Sequence, residues 1–322
     1  MNPCGANKHI GVLRGGPSPE YEVSLKTGGR ILSLDIPGYK WKDIFIDKHG
    51  VWHLNGVAKK PSSILSGVDG VFNALHGTYG EDGGIQEVLD IFGIPYTGSG
   101  RVASALAMRK DLSLKCCADK GINIPISLLI REGDAGEDVI TFCEKVSFPL
   151  VVKPVSSGSS IGVFLVSSED ELKAAVKESF KYGSAVLVQE YIEGREATCG
   201  VIEGFRGEEI YGLFPVEIVP HFSTFFDHEQ KYGGKTIEFC PGNFSEEEKN
   251  MILKNAVLIH RCLGLRHYSR SDFVVNSERG VFMLEVNSLP GLTENSLFPL
   301  ELESSGISFE EFVSEILRKI FL

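Results

Sequence analysis

The chain has 322 residues, 43% hydrophobic and 23% charged, a balance that supports a real core and excludes intrinsic disorder. At ~150 residues per domain this length predicts two domains or three small ones. The formal net charge of −11 excludes the basic footprint of non-specific nucleic-acid binding, though not a local basic pocket.

No apolar run approaches the ~18 residues of a membrane helix, and the polar residues 1–8 do not look like a cleavable signal. Seven cysteines, at 4, 116, 117, 143, 199, 240 and 262, are odd in number, scattered and without a C-x-x-C. They fit neither a disulfide framework nor a structural zinc site, and predict reduced thiols in a cytoplasmic protein.

Strand and helix signals alternate over the first hundred residues. Residues 9–13 read as a strand, followed by the turn Arg14-Gly15-Gly16-Pro17-Ser18 and a helix from about 24 to 34. Segments 43–47 and 71–75 read as strands and 84–92 as a helix. This predicts an α/β unit with a mostly parallel sheet and ligands at the strand C-terminal ends. Glycines between 93 and 100 punctuate its end. Helices are expected at 102–108 and 111–120, and strands at 126–130, 150–153 and 161–166. Ser168-x-x-Glu171 predicts a capped helix to about 181. Strands at 185–191, 196–202 and 211–219 precede a long loop to 244. Ser245-x-x-Glu248 opens a helix with Ile252, Ala256, Ile259 and Leu263 on one face. A strand pair, a loop and a closing helix from Ser308-x-x-Glu311 complete the chain, which has no internal repeat.

No G-x-x-x-x-G-K-[ST] occurs. Gly98-Ser99-Gly100-Arg101-Val102-Ala103 matches G-x-G-x-x-A, but the acidic residue ~20 positions on is Asp119, at a helix end. A structural turn is the expectation there. In Lys153-Pro154-Val155-Ser156-Ser157-Gly158-Ser159-Ser160-Ile161-Gly162, a lysine ends an apolar strand and a small-residue loop follows. Such a loop lets backbone N–H groups approach phosphate oxygens; an ordinary hairpin loop with a solvated lysine is the alternative.

Segments 271–276 and 281–286 are apolar, and Ser277-Glu278-Arg279-Gly280 between them reads as a hairpin turn. Asn276 would then pair with Val281, Asp272 with Glu285 and Arg270 with Asn287. Alternation puts Arg270, Asp272, Glu285 and Asn287 on one face. Two carboxylates and an amide oxygen match the hard ligands of Mg²⁺. A solvated polar face or an Arg–carboxylate cluster is the alternative, and a one-residue slip would destroy the constellation.

Lys110, the Lys153 loop, Gln189-Glu190-Tyr191-Ile192 with Glu196, and Asp272…Glu285-x-Asn287 together resemble an ATP-grasp ligase. Gly15-Gly16-Pro17-Ser18-Pro19-Glu20-Tyr21-Glu22-Val23-Ser24-Leu25 and His76-Gly77-Thr78-Tyr79-Gly80-Glu81-Asp82-Gly83 resemble the first two signatures of D-alanine–D-alanine ligases. Residues 95–100, Asn287-Ser288-Leu289-Pro290-Gly291-Leu292-Thr293 and Ser296-Leu297 resemble further ones. The similarity runs from about residue 9 to the end.

The resemblance implies an N-terminal open α/β, Rossmann-like pre-ATP-grasp domain (1–98, binding substrate). A two-lobed ATP-grasp fold of α+β character follows, with a central lobe at 99–188. Its C-terminal lobe, 189–322, would carry the Mg²⁺ and substrate sites. It implies ligation of two D-alanines through a D-alanyl phosphate for peptidoglycan precursor synthesis. ATP is the implied co-substrate, with two Mg²⁺ (or Mn²⁺) ions, a cytoplasmic location and a homodimer; no nucleic-acid or membrane partner is implied. Lys110, Lys153 and Ser160 would meet phosphates, Gln189, Glu190, Tyr191 and Ile192 would border adenine, and Glu196 would hold the ribose. Asp272, Glu285 and Asn287 would be the metal ligands. Glu22 would take the ammonium of the first D-alanine, with His76 beside it, and Ser296 and Leu297 would contact the second. Arg270 and the Gly291 amide would face the developing oxyanion. Ser159 and Tyr232, with Glu22, would fasten the loop 225–241 over the site.

The chain departs from the family at Met108-Arg109-Lys110, where Met-Asp-Lys is usual, at Ser156-Ser157 instead of Arg-Glu, and at Gln189-Glu190 instead of Glu-Lys. These bear on nucleotide affinity and loop dynamics more than on reaction type. The alternatives are an ATP-grasp ligase using D-lactate or D-serine as acceptor, and a nucleotide-binding homologue without catalysis.

Overall fold

A continuous apolar run makes β1 (Lys8–Gly15) a central strand buried on both faces, with Ile10 and Val12 in one cluster and Leu13 in another. The computed structural model describes residues 7–134, 137–158, 160–220 and 236–322. β1 leads into α1 (Tyr21–Leu32), β2 (Tyr39–Ile46), β3 (Trp52–Leu54), β4 (Val57–Ala58), α2 (Pro61–Leu65), β5 (Gly70–Asn73) and α3 (Gly84–Ile91). The sheet order is β4-β3-β2-β1-β5, with β1 parallel to β2 and β5. β3 and β4 add antiparallel edge strands that the sequence reading lacks. Asn55 and Gly56, both at positive φ, make the two-residue turn between them, a hairpin signal open to reading.

α4 (Arg101–Met108) and α5 (Lys110–Ala118) precede β6 (Ser127–Arg131), α6 (Glu137–Lys145), β7 (Leu150–Pro154), β8 (Phe164–Val166), α7 (Glu169–Ser179) and β9 (Ala185–Glu190). The four strands form an antiparallel sheet ordered β6-β9-β7-β8. β8 starts later than expected because Gly162, at φ +75, keeps its approach in a turn. β9 ends one residue short of the expected 191.

β10 (Arg195–Glu203), β11 (Ile210–Gly212), β12 (Val216–Pro220), β13 (Thr236–Phe239), β14 (Tyr268–Asn276) and β15 (Gly280–Asn287) form the third sheet, with α8 (Glu246–Cys262) packed on it. The expected single strand at 211–219 is two strands: Pro215 has no N–H to donate to a ladder, and the chain breaks there. β13 lies within the expected long loop, and α9 (Leu297–Ser304) within the loop before the closing α10 (Phe309–Lys319). Phe312 and Ile316 of α10 share one buried cluster with Ile10, Val12 and Phe72 of the first sheet and with Tyr268 of the third. The closing helix thereby joins two sheets.

The β14–β15 register pairs Arg270 with Asn287 and Asp272 with Glu285, as the hairpin argument requires. Its turn differs. Asn276 pairs with Gly280, so only Ser277, Glu278 and Arg279 lie between the strands, and Asn276 Oδ1 accepts from the Glu278 and Arg279 amides at 3.0 and 2.8 Å. A bulge between Asp272 and Phe273 inserts one residue and restores the expected pairing beyond it.

All three capping motifs form: Glu171, Glu248 and Glu311 amides donate to Ser168, Ser245 and Ser308. At α8 the Ser245 amide also donates to Glu248 Oε2 at 2.7 Å. Ser245→Ala should cost about 1 kcal/mol, read as a lower urea midpoint with unchanged slope. An unchanged midpoint would mean that tertiary packing alone fixes this end.

Candidate active site

Lys110 opens α5 with only 6% of its surface exposed, so its ammonium needs partners inside the protein. It donates to the Ser157 carbonyl and pairs with Glu285 Oε2 at 3.3 Å. Lys153, equally buried on β7, donates to the Leu284 carbonyl at 3.4 Å. Arg270 holds Asp272 through both carboxylate oxygens, at 3.0 and 3.1 Å. Thr198 Oγ1 donates to the same carboxylate at 2.6 Å and Asn287 Nδ2 at 3.3 Å. Burial opposes the charge on Arg270, but Asp272, then Glu301 and Glu285, outweigh it and raise its pKa. The shared face read from the hairpin is therefore present, with a cation on each carboxylate.

This face borders a cavity lined by Glu20, Glu81, Met108, Lys110, Ser157, Gly158, Glu285, Asn287 and Ser288, among others. Three loops bring it together. Glu20 immediately precedes α1, and its Oε2 lies so close to Gly77 and Gly158 that a methyl on either would come within 2.5 or 2.8 Å of it. Glu81 accepts from the Gly77 amide at 2.9 Å and from the Leu289 amide at 3.3 Å. His76 is buried between Thr27 Oγ1, at 3.0 Å, and the Leu289 carbonyl, at 3.2 Å.

Glu22 is not at the cavity. It is the second residue of α1 and is exposed, whereas Glu20, two residues earlier, faces the loops at the end of β1. The difference lies in where the helix begins, with Glu20 at its cap and Glu22 inside its first turn. Both acids lie in one motif, and only the one before the first helical turn is turned inward.

Comparison with known proteins bears on the same residues. Residues 117–318 match the family described as "D-ala D-ala ligase C-terminus" and residues 56–99 match "D-ala D-ala ligase N-terminus". The chain is 39% identical over 311 residues to a D-alanine–D-alanine ligase of Geobacter sulfurreducens, covering 96% of this chain and 92% of that protein. The chain belongs to the D-alanine–D-alanine ligase family. Among solved structures it is similar to the VanG D-Ala:D-Ser ligase of Enterococcus faecalis, with a TM-score of 0.86 and 30% identity over 98% of this chain and 99% of that one. It is also similar to the D-alanine–D-alanine ligase of Bacillus anthracis complexed with ATP, with a TM-score of 0.80 and 31% identity over 98% and 97%. The ATP-grasp fold is that of these relatives.

The remaining ligase positions divide by location. Gln189 is buried and its Nε2 donates to Ser127 Oγ at 2.8 Å. Glu190 pairs with Arg279, which holds its carboxylate below the usual pKa range. Tyr191 is half-buried, Ile192 packs on Val274 and Phe282, and Glu196 lies on β10 opposite Val274. Ser160 is at φ +54 in the loop after β7. Gly291 lies against Ser296, where a methyl would come within 2.9 Å of the Ser296 hydroxyl; Leu297 then begins α9. Ser159 and Tyr232 lie outside the described residues. Of the departures, Arg109 is held by Asp111 through two contacts of 2.9 and 2.7 Å. Ser157 contributes a backbone carbonyl to Lys110, a role any residue type can fill.

Glu20, Glu81, Thr198 and Glu301 are not among the site residues expected from the sequence. Glu20 and Glu81 stand inside the ligase-like motifs at 15–25 and 76–83; Thr198 and Glu301 come from a neighbouring strand and a helix that no local pattern links to Asp272. Glu301 of α9 is fully buried, accepts from the Gly200 amide at 2.8 Å, and its Oε2 has no hydrogen-bond partner among the described residues.

Burial pushes the Glu301 carboxyl from 4.5 up to about 8, against the pull of Arg270 and the Gly200 amide. A carboxyl raised on folding stabilises fully below its unfolded value and loses that contribution as pH rises through the folded one. Wild-type stability relative to Glu301→Gln should therefore fall between pH 4.5 and about 8, as followed by urea unfolding. A difference independent of pH would show that Glu301 stays ionised. In kinetics, Glu20→Gln should raise the KM for D-alanine about tenfold or more, as for loss of a charge-assisted hydrogen bond. Glu22→Gln should leave it within about twofold. The reverse pattern would return the role to Glu22.

Proposed function

We propose that the chain joins two D-alanine molecules into D-alanyl-D-alanine at the expense of ATP, through a D-alanyl phosphate, to supply a peptidoglycan precursor. The observation that carries this reading is the cluster of Lys110 on Glu285, Arg270 on Asp272 and Lys153 on the Leu284 carbonyl between them, with Lys110, Glu285 and Asn287 lining one cavity, in a chain of this family. A carboxylate is a poor acylating agent, and its attack on a γ-phosphate brings two anions together. Three desolvated cations at that point supply the required field, which is stronger in a site withdrawn from water.

Glu20, in place of Glu22, holds the ammonium of the first D-alanine, with His76 fixing the loop beside it. Lys110, Lys153 and the loop through Ser160 receive the phosphates. The stretch Gln189 to Ile192 borders adenine and Glu196 holds the ribose. Arg270 and the Gly291 amide stabilise the tetrahedral oxyanion, and Ser296 and Leu297 hold the acceptor. Ser159 and Tyr232 belong to the fastening that keeps water from the acyl phosphate.

The donor set of Asp272, Glu285 and Asn287 fits hard divalent cations in kind, since all three bring oxygen ligands to one sheet face. Two Mg²⁺ or Mn²⁺ ions held there would neutralise phosphate charge. The division at 1–98, 99–188 and 189–322, the homodimer and the cytoplasmic location belong to the same reading. No helix among the described residues is long and apolar enough to cross a membrane.

Mass spectrometry of products from ATP, Mg²⁺ and D-alanine should show the dipeptide, ADP and phosphate in equal amounts. Glu285→Gln should lower that rate by ~10²–10³, the order expected for one preorganised charge at a reacting centre, and should also lower the unfolding midpoint, because Lys110 loses its carboxylate partner; the rate is therefore compared at a temperature where both proteins are fully folded. Dipeptide formation at the wild-type rate in the variant would remove Glu285 from the metal set.

A further inference from the structure

Two of the seven cysteines meet. Cys117 lies in the last turn of α5 and Cys262 ends α8, 145 positions away, yet their Sγ atoms are 3.5 Å apart. Cys117 is completely buried, whereas Cys262 is partly exposed. Cys262 also donates to the Ile259 carbonyl at 3.5 Å, so its sulfur is held in place within the last turn of α8. Cys116 is next in sequence, but it is Cys117 whose thiol meets Cys262. The pair lies in the largest buried cluster, between the helix that begins with Lys110 and the helix packed on the third sheet.

The two thiols are not equivalent. Sharing a hydrogen bond with Cys262, then burial, pushes the Cys117 thiol well above its usual range. The same hydrogen bond, with Lys120 nearby, holds Cys262 below its own. The thiolate is the form that reacts with oxidants, and an accessible sulfur beside a positive charge is where it forms most readily. A buried second thiol in van der Waals contact is placed to resolve the first product.

We propose that Cys117 and Cys262 are a peroxide-reactive thiol pair, in which Cys262 is oxidised and Cys117 closes a disulfide that locks α5 to α8. In the first step the Cys262 thiolate attacks one oxygen of hydrogen peroxide. The S–O bond forms as the O–O bond breaks, and hydroxide leaves with a proton as water. In the second, the Cys117 sulfur attacks the sulfur of the sulfenic acid. The S–S bond forms, the S–O bond breaks, and the departing hydroxide takes the Cys117 proton as a second water. Two electrons pass from the thiols to the peroxide. Closing from 3.5 Å to a bonded sulfur pair requires a movement of roughly 1.5 Å, within reach of side-chain rotation and a small helix shift. The chain's other thiols offer no comparable partner among the described residues.

The test treats the whole chain with hydrogen peroxide, blocks remaining thiols in denaturant, and maps the peptides. The expected result is a Cys117–Cys262 cross-linked peptide pair, with a loss of two hydrogens that dithiothreitol reverses. Urea unfolding should shift to a higher midpoint in the oxidised protein, because the bond constrains the unfolded chain. Cys117→Ser should instead leave a sulfenic acid at Cys262 that dimedone traps. Cys262→Ser, which alters the less buried partner, should leave Cys117 unmodified at the same dose. A cross-link from Cys116, over-oxidation of Cys262 without a cross-link, or faster oxidation of Cys143 or Cys240 would overturn the assignment. A lower urea midpoint on oxidation would overturn the lock.

Discussion

Asp272 and Glu285 stand directly opposite one another on adjacent antiparallel strands, where two like charges repel. What makes that pairing tolerable is a cation on each. Arg270 comes from the same strand as Asp272, whereas Lys110 reaches Glu285 from α5, which packs against β15 and α8 and whose first amide donates to the Val155 carbonyl just after β7. Lys153 arrives from β7 beside them. Breaking a buried pair by removing one partner typically costs ~3–5 kcal/mol, because the other charge is left uncompensated. The β14–β15 face, α5 and β7 therefore depend on one another, and the cavity forms where they meet.

The first sheet enters this arrangement through hydrogen bonds as well as through packing. Glu81 and His76, from the loop after β5, hold the backbone of Leu289 just beyond β15. The Gly98 amide donates to His267 Nδ1 at 2.9 Å, just before β14. Burial holds His267 down at about 4, so it remains neutral and able to accept that bond near neutral pH. Gly98 and the segment after it, which match a dinucleotide fingerprint in sequence, thus serve as a turn that fastens one sheet to another. The G-x-G spacing reports backbone geometry here, not a phosphate.

Legibility in the sequence tracked how local the determinant was. The α8 cap could be read because its partners are three residues apart. The shared face of Arg270, Asp272, Glu285 and Asn287 could be read because strand alternation is rigid, although the turn was one residue shorter than the expected one. The bulge beside Asp272 compensated for that difference, and no composition signal announced it. Glu22 and Glu20 were separable only by where α1 begins, and helix starts are the least determined part of a pattern. The strand at 211–219 divided at Pro215, which was a readable warning. Glu301 was not readable, since its importance comes wholly from the strand that α9 covers.

An acidic chain with net charge −11 nonetheless gathers its buried cations at one point, and each is already engaged by a carboxylate or a carbonyl. An anion arriving there competes for Lys110 and Arg270 with Glu285 and Asp272, so its net binding is a difference between two sets of ion pairs. Such a site binds resting phosphate less strongly than the bare charges would. The difference grows when negative charge is drawn onto oxygens placed better than the internal carboxylates, as in a transferring phosphoryl group or a tetrahedral oxyanion. Stabilisation that increases along the reaction coordinate lowers the barrier, whereas tighter binding of the ground state does not. In the proposed reaction, the internal ion pairs that make the cluster foldable would thus also direct its charge toward the transition state.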